Sequence, residues 1–142
     1  MDVNETEEGG KARRTGPMDV NYISGEVVDA AMRVHSVLGP GLLESAYQAC
    51  LAHELRKRGL CIACQVPLPV VYEGVQIDVG YRIDIVVEDA VLVELKATSK
   101  TLEIHEAQAI SNLKLSVYRV GLLINFHVVH LKDGIKRFVN GL

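Results

Sequence analysis

From Asn21 the apolar residues recur at helical spacing. Val27, Val28, Ala31, Val34 and Leu38 fall on one broad side, which predicts a helix with Ser24 as its N-cap. Gly39-Pro40-Gly41 stops it, since glycine ends helices and proline cannot continue one. A second helix is predicted from about Leu42. Its inward positions are Leu43, Ala46, Tyr47, Cys50, Leu51, Glu54 and Leu55, and Gly59 closes it. The period then shortens. Residues 61–72 and 75–81 read as a hairpin around Glu73-Gly74, with Pro67 and Pro69 favouring an edge for the first strand because proline donates nothing to the ladder. Residues 81–97 read as a second hairpin. A helix over about 103–117, capped by Ser99 or Thr101, carries Ile104, Ala107, Ile110, Leu113 and Val117 inward. The apolar run 119–126 reads as a strand covered on both faces, and 128–131 with 135–139 as a last hairpin around Lys132-Asp133-Gly134. Helix, helix, four strands, helix and two or three strands predict an α/β sandwich: a mixed central sheet with helices on its faces.

The hairpin over 81–97, YRIDIVVEDAVLVELKA, constrains its own register. With Glu88-Asp89-Ala90 as the loop, Val87 faces Val91, Ile85 faces Val93 and Ile83 faces Leu95, so one side is wholly apolar. The other side receives Arg82 opposite Lys96 and Asp84 opposite Glu94. An even loop would throw Asp84 onto the apolar side. Glu94 and Lys96 share a side whatever the loop does. Two carboxylates facing each other across a strand pair repel. A hard divalent cation between them reverses the sign, because such ions take carboxylate oxygens. An ammonium two residues from Glu94 suits a phosphate oxygen or an attacking water. Asp84, Glu94 and Lys96 therefore have the spacing of a metal-dependent phosphodiesterase site. The plain alternative is a solvated sheet face of mixed charge.

Size and charge narrow the reading. At 142 residues with nearly half of them hydrophobic, no Trp and few aromatics, the chain predicts one domain with an aliphatic core. A formal charge of −3 does not suit a protein that coats nucleic acid non-specifically. Arg56-Lys57-Arg58 and Lys136-Arg137 read as solvated element ends rather than phosphate-binding patches. Three cysteines fit a reduced interior better than a disulfide framework. Cys61-Ile62-Ala63-Cys64 lacks the second ligand pair of a zinc site. With no apolar run of membrane-spanning length and no signal-peptide pattern, a cytoplasmic protein without membrane contact is expected. Residues 1–20 read as a disordered, polar tail whose Lys11, Arg13 and Arg14 are free to touch a polyanion; residues 21–142 form the domain.

Three segments together carry a family resemblance. Asp84 with Glu94-Leu95-Lys96 resembles the PD-(D/E)xK nuclease superfamily. Gly41-Leu42-Leu43-Glu44-Ser45-Ala46-Tyr47 resembles the signature of the GxxExxY protein family, and His105-Glu106-Ala107-Gln108 followed by 121–126 resembles that family's C-terminal half. The resemblance spans about 23–139. It implies a restriction-endonuclease-like fold and a nuclease-like domain over 21–142. It also implies that Glu44, otherwise a carboxylate suited to the dipole of a helix N-terminus, approaches the metal site. Gln108 is a residue that family members share, followed four residues later by Tyr; here that position is Asn112.

The first function expected is phosphodiester hydrolysis with Mg²⁺ or Mn²⁺, on DNA rather than RNA. Asp84 and Glu94 would be ligands, with the Leu95 carbonyl and with Glu44 through water. Lys96 would stabilise developing charge and align the attacking water. Gln108 would orient Lys96 or the nucleophile, and Glu44 is alternatively a distant general base. The second is a catalytically inactive nuclease-fold binding or regulatory module. In either case a homodimer mate or partner subunit is expected to help hold substrate. A redox or zinc role for the CxxC pair is a third reading. Tyr47 is expected against the sheet with its hydroxyl partnered, and His35 either at the dipole of its helix or in the cleft.

Overall fold

Asp19 rather than Ser24 begins the first helix, its carboxylate accepting the Asn21 N–H at 2.9 Å. In the computed structural model, which describes residues 18–100 and 102–140, this helix α1 runs Val20–Leu38. Of the tail expected over 1–20, residues 1–17 lie outside the described residues, as does the cap expected at Thr101, while Asp19 and Val20 already belong to the start of α1. Ser24 lies buried within α1, where its hydroxyl donates to the Asn21 carbonyl. Ile23, Val27, Ala30, Ala31 and Val34 carry the inward face. Gly39 ends α1 at φ 68° and ψ −176°, a conformation open essentially to glycine alone.

Helix α2 is Glu44–Lys57 and buries Tyr47, Leu51, Ala52 and Leu55. Leu43, expected inward, is 77% exposed, because it sits in extended backbone just before the helix. Strands follow as β1 Ile62–Pro67, β2 Val70–Tyr72, β3 Val75–Ile77, β4 Arg82–Val87 and β5 Val91–Lys96. Helix α3, Glu103–Leu115, leads to β6 Val120–Asn125, and a 3-10 turn over Leu131–Gly134 leads to β7 Ile135–Val139. The central sheet has the order β1-β4-β5-β6-β7, with β5 and β6 parallel and the other neighbours antiparallel. It is the mixed α/β arrangement the sequence predicts.

Three local expectations fail, each for a physical reason. The first predicted strand divides at Pro67-Leu68-Pro69: β1 joins the main sheet as its edge, while β2 and β3 form a separate two-stranded sheet around the left-handed Glu73-Gly74 turn. The last predicted hairpin has only one strand, for residues 127–130 bend and the 3-10 turn delivers β7 to β6. The helix α3 presents Ala109 and Leu113 inward and leaves Ile104, Ala107 and Ile110 exposed, as is Val117 beyond its end. Gly121 lets Leu113 sit close over β6: a Cβ there would stand 3.5 Å from both Leu113 methyls.

The two faces of the sheet are packed unequally. Helices α1 and α2 cover one face through Val27, Val34, Leu51 and Leu55 against Ile85, Val87, Val93, Leu122 and Ile124. On the other face Leu113 of α3 packs with Leu68, Ile83, Val86 and Leu92. His35 is buried in the first cluster rather than in the cleft, its Nε2 2.8 Å from the Val128 carbonyl. None of the helices among the described residues is long and apolar enough to cross a membrane.

Candidate active site

Strands β4 and β5 pair as their sequences dictate at Val87–Val91, Val86–Leu92 and Ile85–Val93. Beyond that they part. From Ile83 to Arg82, β4 stays with Val66 and Pro67 of β1, while Glu94, Leu95 and Lys96 of β5 run alongside Leu123, Ile124 and Asn125 of β6. The Asp84 carboxylate enters the gap, its Oδ2 accepting the Leu95 N–H at 2.8 Å. A backbone donor that has lost its ladder partner is thereby satisfied by a side chain. The divergence also corrects the predicted face of Ile83, which joins the α3-side cluster rather than standing with Ile85 and Val87.

Glu94 stands beside Asp84. Its pKa is pushed up to about 7, first by burial and then by the Asp84 charge, with a further rise from a hydrogen bond to Asp84 that only the protonated acid donates. Asn112 of α3 and Lys96 oppose this rise, Asn112 by donating to Glu94 Oε2 at 2.9 Å. Glu44, the first residue of α2, is raised by burial and then by Asp84, and lowered by Lys96 and His105. So two sheet strands and the N-terminal turns of α2 and α3 bring Glu44, Asp84, Glu94, Lys96 and His105 into one electrostatic neighbourhood. Among the described residues no carboxylate comes within ion-pair distance of the Lys96 ammonium. Gln108 is exposed on α3, one turn before Asn112, and among the described residues makes no hydrogen bond to Lys96 or to either carboxylate.

Two contacts were not anticipated from the sequence. Asn112, which with Gln108 was expected to suit orienting a water or the lysine, instead holds Glu94. Gln65 of β1 donates through Nε2 to Asp84 Oδ1 at 3.3 Å and to Gln48 Oε1 of α2 at 2.8 Å. A lone neutral amide in the run Ala63-Cys64-Gln65-Val66, at the position opposite Asp84, was the available signal.

The glutamate at α2's start is held by its turn. The Tyr47 ring stacks on Phe126 with centroids 4.5 Å apart and planes 7° from parallel. Its hydroxyl donates to the Gly39 carbonyl and accepts the Leu42 N–H. The α1–α2 connection is thus fixed, and Glu44 follows it directly.

A family model described as the PD-(D/E)XK nuclease superfamily matches residues 21–138. The chain belongs to the PD-(D/E)XK nuclease superfamily. No curated protein and no solved structure matches it. In this PD-(D/E)XK nuclease-superfamily chain, Asp84 and Glu94-Leu95-Lys96 match in sequence the acid and the acid-x-Lys of the superfamily's name, while Ile83 stands where that name has proline. Such nucleases generally use divalent metals. The donors fit a hard cation: two carboxylates so close that one holds its proton to about pH 7 lack the positive charge that would let both ionise. Among the described residues no group of three or more His, Cys, Asp or Glu side chains gathers closely enough to hold an ion. A shallow apolar groove lined by Ile62, Ala63, Val66, Val86 and Tyr118 lies on the α3 side and includes none of the charged cluster. The basic runs are partly engaged elsewhere, Arg58 with Glu26, Asp29 and Glu54, and Lys136 with Glu106.

Proposed function

We propose that this nuclease-superfamily protein hydrolyses phosphodiester bonds with Mg²⁺ or Mn²⁺, on DNA in preference to RNA, and that within the superfamily it falls in the GxxExxY family. The observation that carries this reading is the Asp84–Glu94 pair: Asp84 Oδ2 caps the Leu95 N–H beside Glu94 and raises the Glu94 pKa, with the Lys96 ammonium nearby and, among the described residues, in no ion pair. Asp84 and Glu94 would hold the ion, with the Leu95 carbonyl, and with Glu44 through water. A bound ion supplies Lewis-acid polarisation of the scissile phosphate and acidifies water. Lys96 stabilises the charge that develops on the phosphate and aligns the attacking water. Glu44, with its raised pKa, alternatively takes a proton as a distant general base. Gln108 orients Lys96 or the water once substrate fills the cleft.

A second reading, an inactive nuclease-fold binding module, is favoured by the two-carboxylate donor set and by the net charge of −3. Calorimetric titration of Mn²⁺ into wild type and Asp84→Asn, followed by incubation with plasmid and single-stranded DNA and with RNA, separates the two. Metal uptake lost in the variant, with metal-dependent nicking by wild type, is expected for the nuclease. Absence of both overturns it in favour of the module. A homodimer mate or partner subunit completes the substrate grip in this proposal, supported by the exposed apolar side chains of β2 and β3.

A further inference from the structure

We propose that Gln65 is a positioning residue for Asp84, bracing its carboxylate against Gln48 of α2 so that it stays aimed into the gap between β4 and β5. Two independent observations meet at this residue. The first is its backbone: Gln65 lies at φ 54°, in the left-handed region that a residue with a side chain seldom occupies. Its neighbours pair normally with β4, Cys64 with Ile85 and Val66 with Ile83, while Gln65 and Asp84 do not pair. A non-glycine residue is held in a costly conformation midway along an edge strand, directly opposite the aspartate.

The second observation is what the side chain does from there. Its Nε2 lies 2.8 Å from Gln48 Oε1 and 3.3 Å from Asp84 Oδ1. A primary amide carries two N–H bonds, so both acceptors are served at once. The carboxylate accepts only, which fixes the nitrogen rather than the oxygen toward it. Gln48 lies on α2 next to Tyr47, whose ring stacks on Phe126. With the Leu95 N–H on Oδ2 and Gln65 on Oδ1, each oxygen of Asp84 has one fixed donor and keeps lone pairs for an ion. An outer residue that orients a ligand typically changes metal affinity by about 10- to 100-fold.

This inference rests on the reading of Asp84 as a metal ligand, and its test separates the two. Mn²⁺ affinity is measured by calorimetry, and thermal melting without metal, for wild type, Gln65→Gly, Gln65→Asn and Gln48→Ala. Glycine and asparagine both tolerate the positive φ, but neither spans from Gln48 to Asp84. Both variants are expected to bind Mn²⁺ about tenfold more weakly than wild type while melting no lower. Gln48→Ala, which keeps Gln65 but removes its brace, loses affinity in the same direction by a smaller factor. Wild-type Mn²⁺ affinity in Gln65→Gly and Gln65→Asn overturns the inference and leaves the metal site standing. A loss of affinity matched by a loss of melting temperature in both also overturns it, because the side chain would then serve the fold. Wild type that takes up no Mn²⁺ overturns the metal reading and this inference with it.

Discussion

Glu94 meets two penalties for ionising, its burial and the neighbouring Asp84. Its pKa rises from 4.5 unfolded to about 7 folded, so between those values the native state binds more protons than the unfolded one. The stability of the metal-free protein is therefore full below about pH 4.5 as far as this group is concerned, and falls as pH climbs toward 7. The loss amounts to at most about 3 kcal/mol. Thermal melts at pH 5 and pH 7.5 without metal should show it, and Glu94→Gln should flatten the difference. The Asn112 hydrogen bond lowers this pKa, so Asn112→Ala should extend the destabilised range to higher pH. Saturating Mn²⁺ should abolish the effect by displacing the proton. Lys96 is predicted to separate binding from chemistry. Lys96→Ala should cut the cleavage rate at least about 100-fold without weakening Mn²⁺ binding, because the ammonium repels the ion rather than holding it.

At the level of elements, the connection between α1 and α2 decides where Glu44 stands. Tyr47 is fully buried, and its hydroxyl satisfies two backbone groups of the turn it closes. Tyr47→Phe keeps the stack on Phe126 but strands the Gly39 carbonyl and the Leu42 N–H, and should cost about 1–3 kcal/mol in denaturant unfolding. The sequence announced this turn, the stop at Gly39, the β4–β5 register as far as Ile85 and Val93, and the all-buried β6, because each follows from local chemistry or strict alternation. It did not announce the inward face of α3. That helix alternates apolar and polar residues on several sides, and only packing over Gly121 selects Ala109 and Leu113. Of the candidate site, the Asp84, Glu94 and Lys96 cluster was legible because carboxylates on one strand face demand an explanation. The amides around it were not. Gln48, Gln65 and Asn112 come from three separate elements, and nothing local marks a glutamine for left-handed backbone.

At the scale of the whole molecule, the small sheet of β2 and β3 stands out among the described residues for the apolar side chains it leaves exposed. Val71, Tyr72, Val75, Ile77, Val79 and Tyr81 are each between 42% and 63% exposed, within one stretch of eleven residues. A two-stranded hairpin is marginal alone in water, and exposed apolar side chains gathered in one hairpin are the feature that the proposed subunit contact would cover. Between Leu68 and Tyr81 the only charges are Glu73 and Asp78, so the surface repels nucleic acid and suits protein. Replacing Val71, Tyr72 and Val75 together with Ser, Ser and Thr removes little from the monomer's core, so each should change unfolding stability by only about 0.5 kcal/mol. If the hairpin joins two copies, the same triple change should weaken dimerisation by at least about tenfold. Sedimentation equilibrium over a concentration series measures both forms. A wild type that stays monomeric at the highest concentration removes the homodimer from the proposal.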